Sequence, residues 1–233
     1  MPGKLTTIAF DADDTLWHNE RFFKLTQERF VSLLADYADP AVLDAHLLEV
    51  EGRNLGRYGY GIKGFLLSMI ESAIELTEAR IPSSVLQEIL AIGHDMLEHP
   101  IDLLPHAREA VEAAKADHMV LLITKGDLLD QERKLAQSGL GDLFDGVEIV
   151  SEKMSQTYSS IFSFHGDGPA RSMMVGNSLK SDVRPAIEAG AWGVHVPFGL
   201  TWALDHAEPP LGHPRFCEVP DLGSLPDLLA DLR

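Results

Sequence analysis

After residue 100 the sequence alternates between short apolar runs and amphipathic segments, and this alternation restricts the fold more than any other feature. The apolar runs are MVLLIT, GVEIV, SMMVG and WGVHVP, and segments such as LLDQERKLAQSG and SQTYSSIFSFH lie between them. Short apolar runs predict buried strands, and amphipathic segments between them predict helices. Strands that alternate with helices form a parallel sheet with helices on both faces. The sequence therefore predicts an α/β fold with a doubly wound parallel sheet.

The part of the chain before residue 100 has a different texture. Residues 5–10 form one more apolar run, which we expect to join the same sheet as a strand. Residues 17–100 contain about four segments with helical spacing of apolar residues and no run typical of a strand. The stretch EGRNLGRYGYG interrupts these segments and is interpreted as a glycine-rich loop. We therefore expect an α/β core made of residues 1–16 and 101–233, with residues 17–100 inserted as an all-helical domain.

Polar residues follow the predicted strands at the points where these strands end. The strand at residues 5–10 is followed at once by three acids, Asp11, Asp13 and Asp14. The other strand ends carry Thr124, Lys125 and Gly126, then Lys153, then Asn177 and Asp182. Ligands of open parallel sheets bind beyond the carboxyl ends of the strands, and neighbouring strands lie only about 4.8 Å apart. We expect these side chains to converge on one small pocket.

The carboxylates of Asp11, Asp13 and Asp182 would repel one another in such a pocket unless a cation lay among them. Mg²⁺ prefers carboxylate oxygens and also accepts phosphate oxygens. Lys153 adds a second positive charge, and the hydroxyl and amides around Thr124 can donate hydrogen bonds. A cation, a lysine and such donors together stabilise charge that develops on phosphoryl oxygens. The pattern therefore indicates chemistry on a phosphorylated ligand with Mg²⁺ as cofactor.

The ordered set of motifs resembles that of the haloacid dehalogenase-like (HAD) superfamily. Asp11-x-Asp13-x-Thr15 is similar to the first motif, Thr124 and Lys153 stand where the second and third are expected, and GNSLKSD at residues 176–182 is similar to the fourth. The resemblance spans nearly the whole predicted core. It implies a Rossmann-like core, and the helical insertion is similar to the C1-type cap that this family places between its first two motifs.

The same resemblance implies roles for individual residues. Asp11 would be the nucleophile that forms an aspartyl-phosphate, and Asp13 would be the general acid and then the general base. Thr124, with Lys125 and Gly126 beside it, would bind the phosphoryl group, and Lys153 would offset its charge. The metal ligands would be the carboxylate of Asp11, the backbone carbonyl of Asp13, and the side chains of Asn177 and Asp182.

Asn177 departs from the family pattern, because many family phosphatases have an aspartate at this position. An amide oxygen can ligate Mg²⁺ but brings no charge. The resemblance therefore implies weaker metal binding here, or a larger share carried by Asp182.

Basic and aromatic residues gather in the glycine-rich segment of the helical insertion, in a chain that is otherwise acidic. Arg53, Arg57 and Tyr58 stand there together. The segment is either an ordinary connection between helices or a loop that selects an anionic substrate, and the sequence leaves both interpretations open. In the second case these three residues would bind substrate.

Hydrolysis of a small phosphorylated metabolite is the function that the motifs favour. Asp13 has a use in this reaction, because an alkoxide leaving group needs a proton, whereas a halide does not. The alternatives are a dehalogenase, towards which Asn177 leans, a phosphomutase, and a non-catalytic protein that binds a phosphorylated ligand. The motifs do not identify the metabolite.

Bulk composition restricts partners and location. The chain has 19 basic and 36 acidic residues and a net charge of −17, which argues against nucleic acid and anionic membranes as partners. Cys217 is the single cysteine, so no disulfide can form within the chain. The sequence shows neither a signal-peptide pattern nor an apolar run long enough for a membrane helix. We therefore expect a cytoplasmic protein, and both a monomer and a homodimer are compatible with the sequence.

Overall fold

A computed structural model describes residues 4–232, and within them six parallel strands form one sheet. The strands are β1 (Thr7–Phe10), β2 (Met119–Lys125), β3 (Gly146–Val150), β4 (Ser172–Gly176), β5 (Trp192–His195) and β6 (Phe216–Glu218). Their order across the sheet is β3-β2-β1-β4-β5-β6, and every neighbouring pair is parallel. The predicted parallel sheet is confirmed. The outermost residues of the predicted core, 1–3 and 233, lie outside the described residues.

The helices follow the strands in the way that the alternating pattern predicts. They are α1 (Glu20–Leu33), α2 (Pro40–Tyr58), α3 (Ile62–Leu76), α4 (Ser83–Glu98), α5 (Ala107–Lys115), α6 (Leu128–Ser138), α7 (Ser155–His165), α8 (Arg184–Glu188) and α9 (Leu225–Asp231). No helix within residues 4–232 combines the length and the apolar character needed to cross a membrane.

Successive residues of the strands bury their side chains on opposite faces of the sheet. Ile8 and Phe10 of β1 belong to a cluster that includes residues of α5 and α9. Ala9, between them, belongs to a second cluster formed with α7 and α8. Helices therefore cover both faces, and the central strands are buried on both sides, as all-parallel sheets require.

Strand β6 is absent from the sequence interpretation. It has three residues and pairs with β5 at the edge of the sheet, with Cys217 opposite Val194. Three residues are too few for an alternating or apolar pattern to stand out. The proline-rich segment before β6 also hides its start.

The described chain divides into two compact units, a helical one and an α/β one. Residues 21–100 and 126–131 form the helical unit, and the remaining described residues form the α/β unit. Helices α1 to α4 of the helical unit enclose their own apolar cluster, with Phe30, Leu43, Met69 and Ile89 at its centre. Residues 17–20, which the sequence interpretation assigns to the insertion, lie in the α/β unit.

The predicted glycine-rich loop before α3 is wrong over most of its length. Helix α2 continues to Tyr58, so residues 59–61 alone separate it from α3. The buried residues of α2 are Leu43, Leu47, Val50 and Asn54, and their spacing continues one helical face through the supposed loop. Two glycines inside the helix cost about 1 kcal/mol each, which the burial of this face offsets.

Candidate active site

The carboxyl ends of the central strands bring the predicted site residues to one edge of the sheet. Phe10, the last residue of β1, stands opposite Leu122 of β2 and Val175 of β4. The amide of Asp11 donates to the carbonyl of Val175 at 2.9 Å, so Asp11 continues the ladder by one residue. Thr124 lies near the end of β2. The predicted convergence of strand ends is therefore present.

Lys153 joins the carboxylates of Asp11 and Asp182 in a buried cluster. Its ammonium lies 2.5 Å from Oδ1 of Asp11 and 2.7 Å from Oδ1 of Asp182. The side chains of Lys153 and Asp182 are each 1% exposed, and that of Asp11 is 9% exposed. Burial and then the charge of Asp182 raise the pKa of Asp11, Lys153 lowers it, and the net result is a pKa of about 7. One ammonium thus does not balance the two carboxylates.

Gly176 makes room for Asp182. A β-carbon on Gly176 would lie 2.2 Å from Oδ2 of Asp182, so only glycine allows this close approach. The backbone amide of Ser178 donates to the same Oδ2 at 3.0 Å. Asp182 itself stands in the turn Leu179–Val183, directly after β4. The spacing from Gly176 to Asp182 therefore brings this carboxylate back against the strand end.

Asp13 is held by two donors that the sequence interpretation missed. Lys134 of α6 lies 3.0 Å from both carboxylate oxygens of Asp13. The indole Nε1 of Trp17 donates to Oδ1 of Asp13 at 2.7 Å. In the sequence, Lys134 is one polar residue of an amphipathic helix and carries no motif, so the fold alone reveals its position.

Asp14 holds the segment that follows it in the chain. Its carboxylate accepts hydrogen bonds from the backbone amides of Asn19 and Glu20, each at 2.8 Å. These amides belong to the turn that leads into α1. Burial raises the pKa of Asp14 to about 7, and the two amide bonds oppose this shift.

The hydroxyl of Thr124 is buried without a hydrogen-bond partner anywhere in residues 4–232. Thr124 is 1% exposed, and an unsatisfied polar group of this kind costs about 1 to 3 kcal/mol. Such a group is rare in folded proteins and needs an explanation. A ligand that accepts a hydrogen bond from this hydroxyl would supply one.

The ammonium of Lys125 makes its contacts within the α/β unit. It donates to Oγ of Ser181 at 2.7 Å and lies 3.5 Å from Oδ1 of Asp205. Asp205 also accepts from the hydroxyls of Ser178 and Ser181. Burial opposes ionisation of Asp205, but the charge of Lys125 lowers its pKa below the usual range. Asp205 therefore ties its own segment to the loop after β4, and no motif in the sequence marks it.

The side chains of Asp11 and Asn177 meet at one hydroxyl. Oγ1 of Thr15 lies 2.9 Å from Oδ2 of Asp11 and 3.2 Å from Oδ1 of Asn177. The backbone amide of Asn177 donates to the same Thr15 oxygen at 3.0 Å. Two oxygens that can ligate a cation thus share the Thr15 hydroxyl as a neighbour.

The donor set fits a hard divalent cation such as Mg²⁺. No group of three His, Cys, Asp or Glu side chains in residues 4–232 could hold a metal ion by itself. A cation bound at Asp11 and Asp182 would take its further ligands from the amide oxygen of Asn177 and a backbone carbonyl. Mg²⁺ accepts such a mixed oxygen set and keeps waters in its remaining positions. The excess negative charge around Asp11 also favours a cation there.

The candidate substrate-binding residues of the helical unit lie near the end of α2. Arg53 pairs with Glu75 at 2.6 Å and with Glu71 at 3.4 Å. The hydroxyl of Tyr58 donates to Glu71 at 2.6 Å, and this bond, followed by burial, raises the pKa of Tyr58. Arg57 is exposed. Arg53 and Tyr58 are therefore engaged inside the helical unit.

Comparisons with known proteins agree on one family. The model of the haloacid dehalogenase-like hydrolases matches residues 5–190. A Methanothermobacter thermautotrophicus protein named glyceraldehyde 3-phosphate phosphatase is 25% identical over 216 residues, which cover 88% of this chain and 91% of that protein. A haloacid dehalogenase-like family hydrolase from Xanthomonas campestris has a similar crystal structure, with 45% identity and a TM-score of 0.87 over 98% of this chain and 91% of that one. The magnesium-bound HAD hydrolase YfnB from Bacillus subtilis has 16% identity and a TM-score of 0.66, over 97% and 99% of the two chains.

Proposed function

This chain belongs to the haloacid dehalogenase-like hydrolase family, and we propose that it hydrolyses the phosphomonoester of a small metabolite with Asp11 as nucleophile. The observation that carries the proposal is the pair of acids at the end of β1. Asp11 is held by Lys153, and Asp13, two residues on, is held separately by Lys134 and Trp17. A reaction with one nucleophile and one acid uses both carboxyl groups, as hydrolysis of a phosphate ester does.

The proposed reaction has two steps that share these acids. In the first, an oxygen of Asp11 bonds to phosphorus, the ester oxygen leaves with its electron pair, and Asp13 gives that oxygen a proton. In the second, water attacks the phosphorus of the aspartyl-phosphate, Asp13 takes a proton from the water, and Asp11 is released with inorganic phosphate. Lys153 stabilises the free carboxylate of Asp11 before the first step and after the second.

Thr124 and the cation site would bind the phosphoryl group. The buried hydroxyl of Thr124 would donate to a phosphoryl oxygen and so gain the partner that it lacks within the chain. The carboxylates of Asp11 and Asp182, the backbone carbonyl of Asp13 and the amide oxygen of Asn177 would hold Mg²⁺. When bound, Mg²⁺ would supply the positive charge that lets an anionic ester approach an anionic nucleophile.

Asn177 limits how tightly this site would hold the cation. Its amide oxygen already lies 3.2 Å from the Thr15 hydroxyl and brings no charge. We expect Asn177→Asp to lower the Mg²⁺ concentration that gives half-maximal activity. A higher concentration in this variant would contradict the assignment of Asn177 as a ligand.

The substrate class is a small phosphorylated metabolite. The relative named glyceraldehyde 3-phosphate phosphatase makes triose phosphates the first esters to test. Lys125 and Gly126 stay candidates for binding the phosphoryl group through their backbone amides. Arg53, Arg57 and Tyr58 stay candidates for recognising the rest of the substrate.

Hydrolysis of 4-nitrophenyl phosphate tests this function. Wild type and Asp11→Asn are compared with Mg²⁺ and with a chelator, and both are checked for folding by circular dichroism. We expect the wild type to hydrolyse the ester only when Mg²⁺ is present. We expect the Asp11→Asn variant to be inactive under both conditions. Turnover that survives in Asp11→Asn would contradict the proposal, as would a folded wild type that hydrolyses neither this ester nor a panel of sugar and triose phosphates.

Dehalogenation is the second candidate, and the presence of Asn177 favours it. An aspartate that attacks carbon and displaces a halide needs no metal ion, and so no metal-ligating carboxylate at this position. The reaction also has no use for a proton donor at Asp13, since a halide leaves as a stable anion. Release of chloride from 2-chloropropionate by a protein that hydrolyses no phosphate ester would decide in favour of this alternative.

A further inference from the structure

Lys134 is a buried cation that the steps above do not use. Its side chain is 7% exposed, and its ammonium lies 3.0 Å from each oxygen of Asp13 and 2.8 Å from Oδ1 of Asn19. A lysine is almost never buried to this extent unless it is paired. The near-symmetric contact with Asp13 is an ion pair in which the lysine is almost fully buried.

Trp17 donates to the same carboxylate from a part of the chain that is distant in sequence from Lys134. Its side chain is fully buried, and its indole Nε1 donates to Oδ1 of Asp13 at 2.7 Å. Trp17 follows Asp13 by four residues, whereas Lys134 comes from α6, more than a hundred residues later in the chain. Donors from two separate elements fix both the position of the carboxyl group and its rotation.

Stability by itself does not account for this arrangement. Replacing a buried ion pair with apolar side chains of similar volume is often neutral or stabilising. Asp13 also stands at the carboxyl edge of the sheet, where its proton would be used, and a general acid works only within hydrogen-bond reach of the atom it protonates. A cation that fixes its orientation therefore serves the reaction.

We propose that Lys134 is a positioning residue for Asp13 and holds this carboxyl group where it exchanges a proton with the leaving oxygen. This role rests on the proposed phosphomonoesterase function. Lys134 acts through Asp13, so its loss matters in proportion to how much the reaction needs that proton.

A comparison of esters with different leaving groups distinguishes this role from a structural one. Phenolate is a poor leaving group and needs a proton as the ester bond breaks, whereas 2,4-dinitrophenolate leaves as a stable anion. The test measures kcat/KM, which covers the steps up to aspartyl-phosphate formation, for phenyl phosphate and for 2,4-dinitrophenyl phosphate with Mg²⁺. The two esters are similar in size, so binding differences largely cancel in their ratio.

We expect Lys134→Met to lower kcat/KM about 100-fold for phenyl phosphate and much less for the dinitrophenyl ester. Lys134→Arg keeps a cation with several donors and should restore most of the loss. Lys115→Met is the matched control, because Lys115 bonds Leu143 and Asp145 in the same unit and should leave the ratio unchanged. If the methionine variant does not fold, Lys134→Gln should move the ratio in the same direction.

The Asp13→Asn background completes the test. Once Asp13 can no longer give a proton, Lys134→Met should lower kcat/KM little further for either ester. An equal loss for both esters, or the same loss in both backgrounds, would overturn the positioning role while wild-type turnover keeps the proposed function. A folded wild type that hydrolyses neither ester would overturn the function, and this role with it.

Discussion

The α/β unit and the helical unit differ in how deeply their paired charged side chains are buried. In the α/β unit, Lys153, Lys134 and Asp182 are almost fully buried, and each is paired at the carboxyl edge of the sheet. In the helical unit, Arg53 and Glu71 form an ion-pair cluster that remains partly open to solvent. Burying a charge costs several kcal/mol, while an exposed pair is worth little. Costly buried charges therefore mark the site of chemistry more reliably than a local excess of basic residues.

Replacing Lys153 should cause the largest loss of stability, far larger than replacing a cation of the helical unit. Lys153→Met leaves Asp11 and Asp182 buried without their cation, so we expect the free energy of unfolding at neutral pH to fall by roughly 3 to 5 kcal/mol. Arg53→Met removes a cation from the exposed cluster and should cost much less, because an exposed ion pair contributes little to stability. Urea unfolding in the presence of a chelator measures both. Equal losses would break the comparison.

Asp14 should give the next largest effect, through pH. Its pKa is about 7 in the folded protein against 3.8 in the reference state, so the folded state binds more protons between these values. The stability that Asp14 contributes is therefore complete below about pH 4 and is lost as the pH rises to about 7. Asp14→Asn should remove this loss, which corresponds to ~1.4 kcal/mol for each pKa unit.

Glu71 provides the opposite case for the same pH series. The Tyr58 hydroxyl, with Asn54 and Arg53, lowers its pKa, so its contribution is present above the unfolded pKa and is lost as the pH falls. Because Glu71 is partly open to solvent, Glu71→Gln should change the pH dependence of unfolding only slightly, and with the opposite sign to Asp14→Asn. The same sign in both variants would contradict the account.

Thr124 sharpens the comparison, because activity and stability should move in opposite directions. Its hydroxyl is buried without a partner, so Thr124→Val should stabilise the fold by up to about 1 kcal/mol while it lowers kcat/KM for phosphate esters. Thr124→Ser keeps the hydroxyl and should keep most of the activity. Thermal unfolding and ester hydrolysis on the same samples measure both. A destabilised Thr124→Val protein would mean that the hydroxyl has a structural partner.

Tyr58 should give the smallest effect on stability. Tyr58→Phe removes a hydrogen bond to Glu71 at the protein surface, so we expect only a slight loss of stability. The Michaelis constant decides its function. An unchanged KM for a triose phosphate would assign Tyr58 to the helical cluster, and a clearly raised KM would establish substrate recognition.

The sequence predicts the features that depend on local patterns. The apolar runs identify β1 to β5, and the order of Asp11, Thr124, Lys153 and Asp182 along the chain predicts that they meet at one edge of the sheet. The prediction for the end of α2 is wrong, because its glycines indicate a loop while the spacing of its buried residues indicates a helix.

Lys134 and Asp205 could not be found from the sequence, for a common reason. Lys134 occupies a polar position of an amphipathic helix, and Asp205 precedes a proline-rich segment, so both look like residues of a solvated surface. Their partners, Asp13 for one and Ser178 and Ser181 for the other, lie far away in the sequence. Tertiary structure alone creates these contacts, and no local pattern records them.

Detection of a phosphoryl group on Asp11 is the most direct test of the central claim. Asp13→Asn should slow the attack of water on the aspartyl-phosphate, so this variant is mixed with Mg²⁺ and 2,4-dinitrophenyl phosphate, quenched in acid and digested for mass spectrometry. We predict a gain of one phosphoryl group on the peptide that contains Asp11, and no gain in the Asp11→Asn, Asp13→Asn double variant. Release of dinitrophenolate without this modification, or with a phosphoryl group on another residue, would contradict the account.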